Sequence, residues 1–230
     1  MQNSDSVAKV YSDYYKAKGN ARNDVFAPDV LFQLLAYEKC RIEAFRHVDR
    51  TARVVDIGGG GGSGIFSLLK FGFQPEQLSI VDIHPDRIAH ARECLPEHVE
   101  VIEGDASRME FFKDAAFDVV TSSTMFLQIT DQNLARSIAQ EMVRITKPGG
   151  TILIFDWRYD FWRKGYRACD TARMNDLFSI GRQTVFVQKI KGQLVPPLGR
   201  FLSKHLPALY FIMQALPFMT GLYCYVLTRK

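Results

Sequence analysis

Cysteine is scarce in this sequence, and its four residues, Cys40, Cys94, Cys169 and Cys224, stand far apart. None falls in a CxxC pair or a zinc-ligand spacing, so neither a disulfide scaffold nor a metal site is expected, and reduced thiols are the default. The N-terminal stretch MQNSDSVAKVYSDYYKAKGN lacks the apolar run that a secretory signal requires, which argues for a cytoplasmic protein. A dominant charge is missing as well: 29 Lys and Arg against 25 Asp and Glu leave a net charge of +4. So small and dispersed an excess does not indicate a nucleic-acid partner. Most of the local surplus lies in the last third, at Arg182, Lys189, Lys191, Arg200 and Lys204. An anionic acceptor or a peripheral membrane contact on that side stays open. Internal repeats, low-complexity segments and interdomain linkers are all lacking.

What is present reads as one folded domain. The chain has 230 residues, 47% of them hydrophobic and 23% charged, which is ordinary globular composition. From Leu206 to Leu227 no charged residue appears, a length that would suffice for a membrane span. Pro207, Pro217 and Gly221 divide that run, so it is expected to form a core helix followed by a buried final strand. Residues 1–50 are predicted to be a helical cap. There Leu31, Leu34, Leu35, Ile42 and Phe45 recur with helical spacing after Pro28, a good first-turn residue.

From Thr51 the pattern changes. ARVVDI, LSIVDI, VEVIEG, FDVVTSS and GTILIFDW read as strands, with SGIFSLLKFG, PDRIAHARECL and DQNLARSIAQEMVRIT as helices between them. Strands alternating with helices predict an α/β fold: a mostly parallel sheet, helices on both faces and chemistry at the carboxyl ends of the strands. Residues 51–158 form the core of this reading, and 159–230 supply TVFVQKI, a helical region and the final LYCYVLTRK strand.

The strongest motif is VVDIGGGGGSG, a strand ending in Asp56, then glycines, then a helix. Glycine lets backbone turn sharply and approach a ligand closely, while free amides at the helix start face outward. Two registers fit: Gly58, Gly60 and Gly62 follow Asp56 as DxGxGxG, and Gly59, Gly61 and Gly64 satisfy the dinucleotide pattern GxGxxG. The carboxylate favours the first, because it suits a cationic amino-acid cofactor and would repel a pyrophosphate. Asp82 ends the next strand where an acid can accept ribose hydroxyls. Asp105 follows the third strand in EGDAS, and Ser122 and Ser123 end the fourth. Met125 and Phe126 beyond them suit either a pocket lining or plain core.

Together with RITKPGGTILIFDW, these segments resemble in order and spacing the class I S-adenosylmethionine-dependent methyltransferases, over residues 51–158. The N-terminal YSDYYKAKGNARNDVFAPDVLFQLLAYEK, STMFLQI, IFDWRYD and the PPLGR tail further resemble a bacterial group associated with polysaccharide or glycan biosynthesis. The resemblance implies a Rossmann-like, seven-stranded sheet whose last strand is antiparallel. It implies S-adenosyl-L-methionine as cofactor, with Asp56, Gly58, Gly60 and Gly62 at the methionine part, Asp82 and Ile83 at the ribose, Asp105 and Ala106 at the adenine, and Ser122 or Ser123 near the sulfonium. Tyr15 would close over the cofactor and Tyr14 over the acceptor.

By position, Asp156 and Asp160 are candidates for taking a proton from an acceptor hydroxyl. Arg158 and Tyr159 beside them suit stacking on a ring and anchoring an anion. The expected reaction is O-methylation of a glycan or a glycosylated small molecule. N- or C-methylation in small-molecule biosynthesis is the alternative, and a nicotinamide-dependent oxidoreductase the remote one.

Overall fold

The computed structural model describes residues 27–160 and 165–230. Tyr14 and Tyr15 lie outside the described residues, as does most of the predicted cap. The described part of the cap is one helix, α1 (Pro28–Phe45), with Pro28 in its first turn.

The core then runs β1 (Val54–Ile57), α2 (Ser63–Lys70), β2 (Leu78–Asp82), α3 (Pro85–Cys94), β3 (Glu100–Glu103), β4 (Phe117–Ser123), α4 (Gln132–Ile145) and β5 (Thr146–Trp157). After it come α5 (Thr171–Leu177), β6 (Thr184–Lys191), α6 (Pro196–His205), α7 (Tyr210–Gln214) and β7 (Leu222–Arg229). The strands form a seven-stranded sheet in the order β3-β2-β1-β4-β5-β7-β6. Pairing is parallel from β3 through β5, and β7 runs antiparallel between β5 and β6. The fold is thus the Rossmann-like, mostly parallel α/β sheet with an antiparallel last strand that the sequence implies.

Alternation along the strands sends side chains to two cores. Val55, Ile57 and Val120 pack with Ile138 and Met142 of α4 on one face. Val54, Ile80 and Leu153 pack with Cys40 and Phe45 of α1 and Ile65 and Leu68 of α2 on the other. Burial on both faces is why β1 and β2 are apolar but for Asp56, Ser79 and Asp82. At α4, Asp131 caps the helix by accepting from the amides of Asn133 and Leu134. The Pro-Gly-Gly turn predicted before the fifth strand falls inside β5, as a bulge between the pairs Phe117–Thr146 and Val119–Thr151.

The helix predicted after Pro28 forms, but most of its apolar recurrence faces outward: Leu31, Leu35 and Ile42 are 40%, 47% and 49% exposed, while Gln33, Ala36, Cys40, Arg41 and Phe45 are buried. Polar partners on neighbouring elements outweigh the periodicity, since Gln33 meets Tyr210 and Gln193 and Arg41 meets Ser67. The run after Leu206 contains a short helix, α7, of which only Tyr210 and Gln214 are buried, so it is no core helix. Among the described residues, no helix is long and apolar enough to cross a membrane.

Candidate active site

Strand order reverses where β1 lies between β2 and β4, and the register puts Ile57 level with Val81 and Ser122. The chain leaving β1 there opens a crevice at the carboxyl ends of the strands. The turn is pinned from β2: the amides of Gly58 and Gly59 donate to the Val81 carbonyl at 2.8 and 3.3 Å. The Gly60 amide donates to Asp82 Oδ2 at 2.8 Å. Gly58 and Gly60 have φ of +70° and +57°, a conformation that side chains rarely tolerate. A Cβ on Gly58 would stand 2.8 Å from Met125 Sδ. Left-handed geometry therefore falls on the DxGxGxG register. Gly62 shares it, but packs against Leu95 at the start of α2.

Two clefts meet at Gly58. The first, of about 650 Å³, is lined by Asp82, Ile83, His84, Asp105 and Ala106 on one side and by Met125, Ile129, Leu134 and Ile138 on the other. Asp82 is buried, and its Oδ1 accepts the His84 amide at 2.9 Å. Burial lowers the proton affinity of the His84 imidazole. Asp105 Oδ1 accepts the Ser107 amide at 2.8 Å. An apolar slot with a carboxylate at its mouth suits a nucleoside.

The second cleft, of about 680 Å³, is polar, and its lining includes Tyr37, Arg41, Asp56, Ser63, Ser123 and Gln193. Asp56 is 2% exposed, and its Oδ1 has no hydrogen-bond partner. Desolvation pushes its pKa up to about 7, against the pull of Arg41. Arg41 donates to Ser67 Oγ at 2.5 Å and to Glu38 at 3.2 Å, and its guanidinium stacks 4.7 Å from the Tyr37 ring centroid. A buried orphan carboxylate and a buried guanidinium thus face one cavity. Ser122 is fully buried with an unpartnered Oγ and lines neither cleft, whereas Ser123 lines the second.

Asp156 stands at the end of β5 with no exposed surface. Its carboxylate accepts the amides of Leu127 at 3.1 Å and Trp157 at 2.8 Å, and burial pushes its pKa up to about 6. Arg173 beside it donates to the carbonyls of Ile129 and Arg167 at 2.6 and 2.7 Å. The pair clamps the segment that walls the first cleft. Asp156→Ala would leave the buried Leu127 amide unpaired, a loss of about 2 kcal/mol and a fall of roughly 4–8 °C in Tm for a chain of this size. Thermal unfolding checks this, and an unchanged Tm with lost turnover would restore Asp156 to the proton-transfer role.

Asp160 lies half-buried in the loop after β5. Arg158 donates to the Pro217 carbonyl at 3.0 Å and lies 4.6 Å over the Tyr159 ring, while Tyr159 donates to the Phe218 carbonyl at 3.3 Å. Both residues tie the 217–221 segment to the rim of the site.

Tyr37, Arg41 and Gln193 escape a reading of the sequence. Arg41 leaves one signal, a charge on the helical face shared with Gln33 and Cys40; Gln193 leaves none.

Residues 54–150 match the family described as "Methyltransferase domain". S-adenosylmethionine is the cofactor that the resemblance in the sequence implies. The orphan Asp56 oxygen, the polar cavity around it and the left-handed cradle at Gly58 fit that group. Among curated proteins, a 2-methyl-6-phytyl-1,4-hydroquinone methyltransferase of Synechocystis is 30% identical over 122 residues, 48% of this chain and 36% of that protein. A ubiquinone/menaquinone biosynthesis C-methyltransferase of Proteus mirabilis is 28% identical over 156 residues, 66% of this chain and 59% of that protein. The chain therefore spans only part of the length of these relatives.

Among solved structures, the PH0226 protein of Pyrococcus horikoshii superposes with a TM-score of 0.67 at 17% identity, covering 95% of this chain and 99% of that one. The Burkholderia thailandensis 1,6-didemethyltoxoflavin-N1-methyltransferase, solved with 1,6-didemethyltoxoflavin and S-adenosylhomocysteine bound, gives 0.65 at 16% identity, with 98% and 89% covered. At these identities the likeness is one of fold.

Proposed function

We propose that this protein transfers the methyl group of S-adenosylmethionine to a small-molecule acceptor held at the carboxyl ends of β4 and β5. The observation that carries the reading is the second cleft, where Asp56 and Arg41 present opposite charges to one cavity. That pairing suits the ammonium and carboxylate of an amino acid, whereas a dinucleotide would bring pyrophosphate against Asp56. We assign Asp82 and Ile83 to the ribose, Asp105 and Ala106 to the adenine, and Asp56 with Gly58 and Gly60 to the methionine part. Ser123 joins that second cleft.

When bound, the cofactor supplies an already activated methyl group. The chain's task is then to align the acceptor and exclude water. Met125, which lines the first cleft beside the Gly58 turn, contributes the apolar wall. For the acceptor we favour O-methylation of a glycan or glycosylated small molecule, with Asp160, half-buried in the loop after β5, to take the hydroxyl proton. Asp156, clamped by two backbone amides, acts by positioning. The curated relatives' names favour a second reading, C-methylation of a ring. The three buried thiols, Cys40, Cys169 and Cys224, are free, which suits the reducing cytoplasm.

Isothermal titration with S-adenosylmethionine, S-adenosylhomocysteine and NADH tests the cofactor. Binding of both adenosyl compounds without NADH is expected, and the reverse pattern would overturn the proposal. Transfer of labelled methyl to lipid-linked sugars, free glycans and quinols then separates the acceptors.

A further inference from the structure

Between β6 and β7 the chain makes a long excursion that returns at Leu222, opposite Trp157 of β5. It therefore lies at the carboxyl-end rim of the sheet, where Arg158 and Tyr159 hold its 217–218 segment. Its outer surface is unusual for a water-facing one. Phe201, Leu206, Leu209, Ile212 and Phe218 are 55%, 46%, 40%, 62% and 62% exposed. The patch continues onto α1, whose Phe32 ring packs 6.0 Å from that of Phe211. Leu31 and Leu35 occupy the neighbouring, outward face of that helix. So many exposed apolar side chains along one rim mark a docking site.

The charges around the patch name its partner. No Asp or Glu follows Asp176 anywhere in the chain. Arg200 and Lys204 share the exposed face of α6 with Phe201, Lys191 lies beside α7 through a bond to the Ala215 carbonyl, and Lys39 sits 5.5 Å over the Phe211 ring. Apolar side chains rimmed by cations, on an excursion that itself carries no acid, complement an anionic lipid bilayer even with Glu38 and Glu43 on the neighbouring α1, since the rings enter the interface and the lysines and arginines meet headgroups. We propose that the α6–α7 excursion, with the outer face of α1, docks the protein on the surface of an anionic membrane and turns the mouth of the second cleft towards it. Gln193 and Leu222, at the two ends of the excursion, line that cleft, so the docked face and the site are contiguous. Docking itself does not depend on the transferase reading.

Co-sedimentation of the full chain with phosphatidylglycerol-containing vesicles and with pure phosphatidylcholine vesicles tests this. Binding to the anionic vesicles is expected, weakening as salt is raised. Arg200→Glu with Lys204→Glu should weaken it by about 25-fold or more, at roughly fivefold for each cation near such a surface. Ile212→Asp with Phe218→Asp should abolish it. S-adenosylhomocysteine titration of each variant confirms its fold and tests the transferase reading separately. Vesicle binding without nucleoside binding would sink that reading and leave docking standing; the converse would sink docking alone. Equal binding to both vesicle types, indifference to the charge-reversed pair, or a wild-type dimer that Ile212→Asp with Phe218→Asp converts to monomer would each overturn the proposal.

Discussion

Asp82→Ala is expected to weaken S-adenosylhomocysteine binding by about 100-fold to 1,000-fold. The carboxylate has two duties. It accepts the Gly60 amide at 2.8 Å and the His84 amide at 2.9 Å, fixing the glycine turn against β2, and it lines the first cleft, where ribose hydroxyls would donate to it. Hydrogen bonds to a charged group contribute about 1.5–3 kcal/mol each, and each 1.4 kcal/mol lost is tenfold in affinity. Alanine removes the acceptor for both ribose and turn, whereas Asp82→Asn keeps the shape and one acceptor and should fall by only about tenfold. Titration calorimetry reads the affinity and thermal unfolding reads the turn. Affinity within threefold of wild type in the alanine variant would remove Asp82 from the site.

The second large effect is a pH dependence. Burial pushes Asp56 up to about 7, so near neutrality the empty protein holds it partly protonated. An ammonium placed against Oδ1 needs the ionised form, and binding must therefore expel a proton. Affinity for S-adenosylhomocysteine should fall about tenfold for each pH unit below 7, reaching roughly a hundredfold loss at pH 5. Asp56→Asn should bind weakly and show no slope in that window. A wild-type affinity flat between pH 5 and 7.5 would sink the assignment.

The same group affects folding with the opposite benefit. Its folded pKa lies above the ordinary 3.8, so between about pH 4 and 7 the unfolded chain has released a proton that the folded one keeps. Stability conferred on the protonated form is therefore lost as pH rises through that interval. Asp56→Asn is expected to unfold at a higher temperature than wild type at pH 8, even as it fails to bind.

The centre of the sheet was legible because β1 and β2 are buried throughout, and their acids, Asp56 and Asp82, mark the ends where the chemistry lies. The glycine turn was legible for a local reason, since the conformations at Gly58, Gly60 and Gly62 are properties of those residues themselves. What stayed hidden depends on partners far away in the chain. The inward turn of Arg41 is set by Ser67, which no periodicity within α1 reveals. Position alone places Asp156 among the proton acceptors, but the amide of Leu127, 29 residues earlier, holds it inside. Arg158 and Tyr159, read as acceptor anchors, are joined to Pro217 and Phe218, 59 residues on.

The place of β7 governs the order in which the molecule can assemble. Among the described residues β6 joins the sheet through β7, which is synthesised after it, so β6 has no strand to pair with until the later one emerges. The parallel half, β1 to β5, faces no such delay and can condense while the remainder is still emerging. During the wait, Val185 and Val187 of β6, still 45% and 55% exposed in the finished fold, stand on an unpaired strand. That interval is when the chain is most open to association with its neighbours.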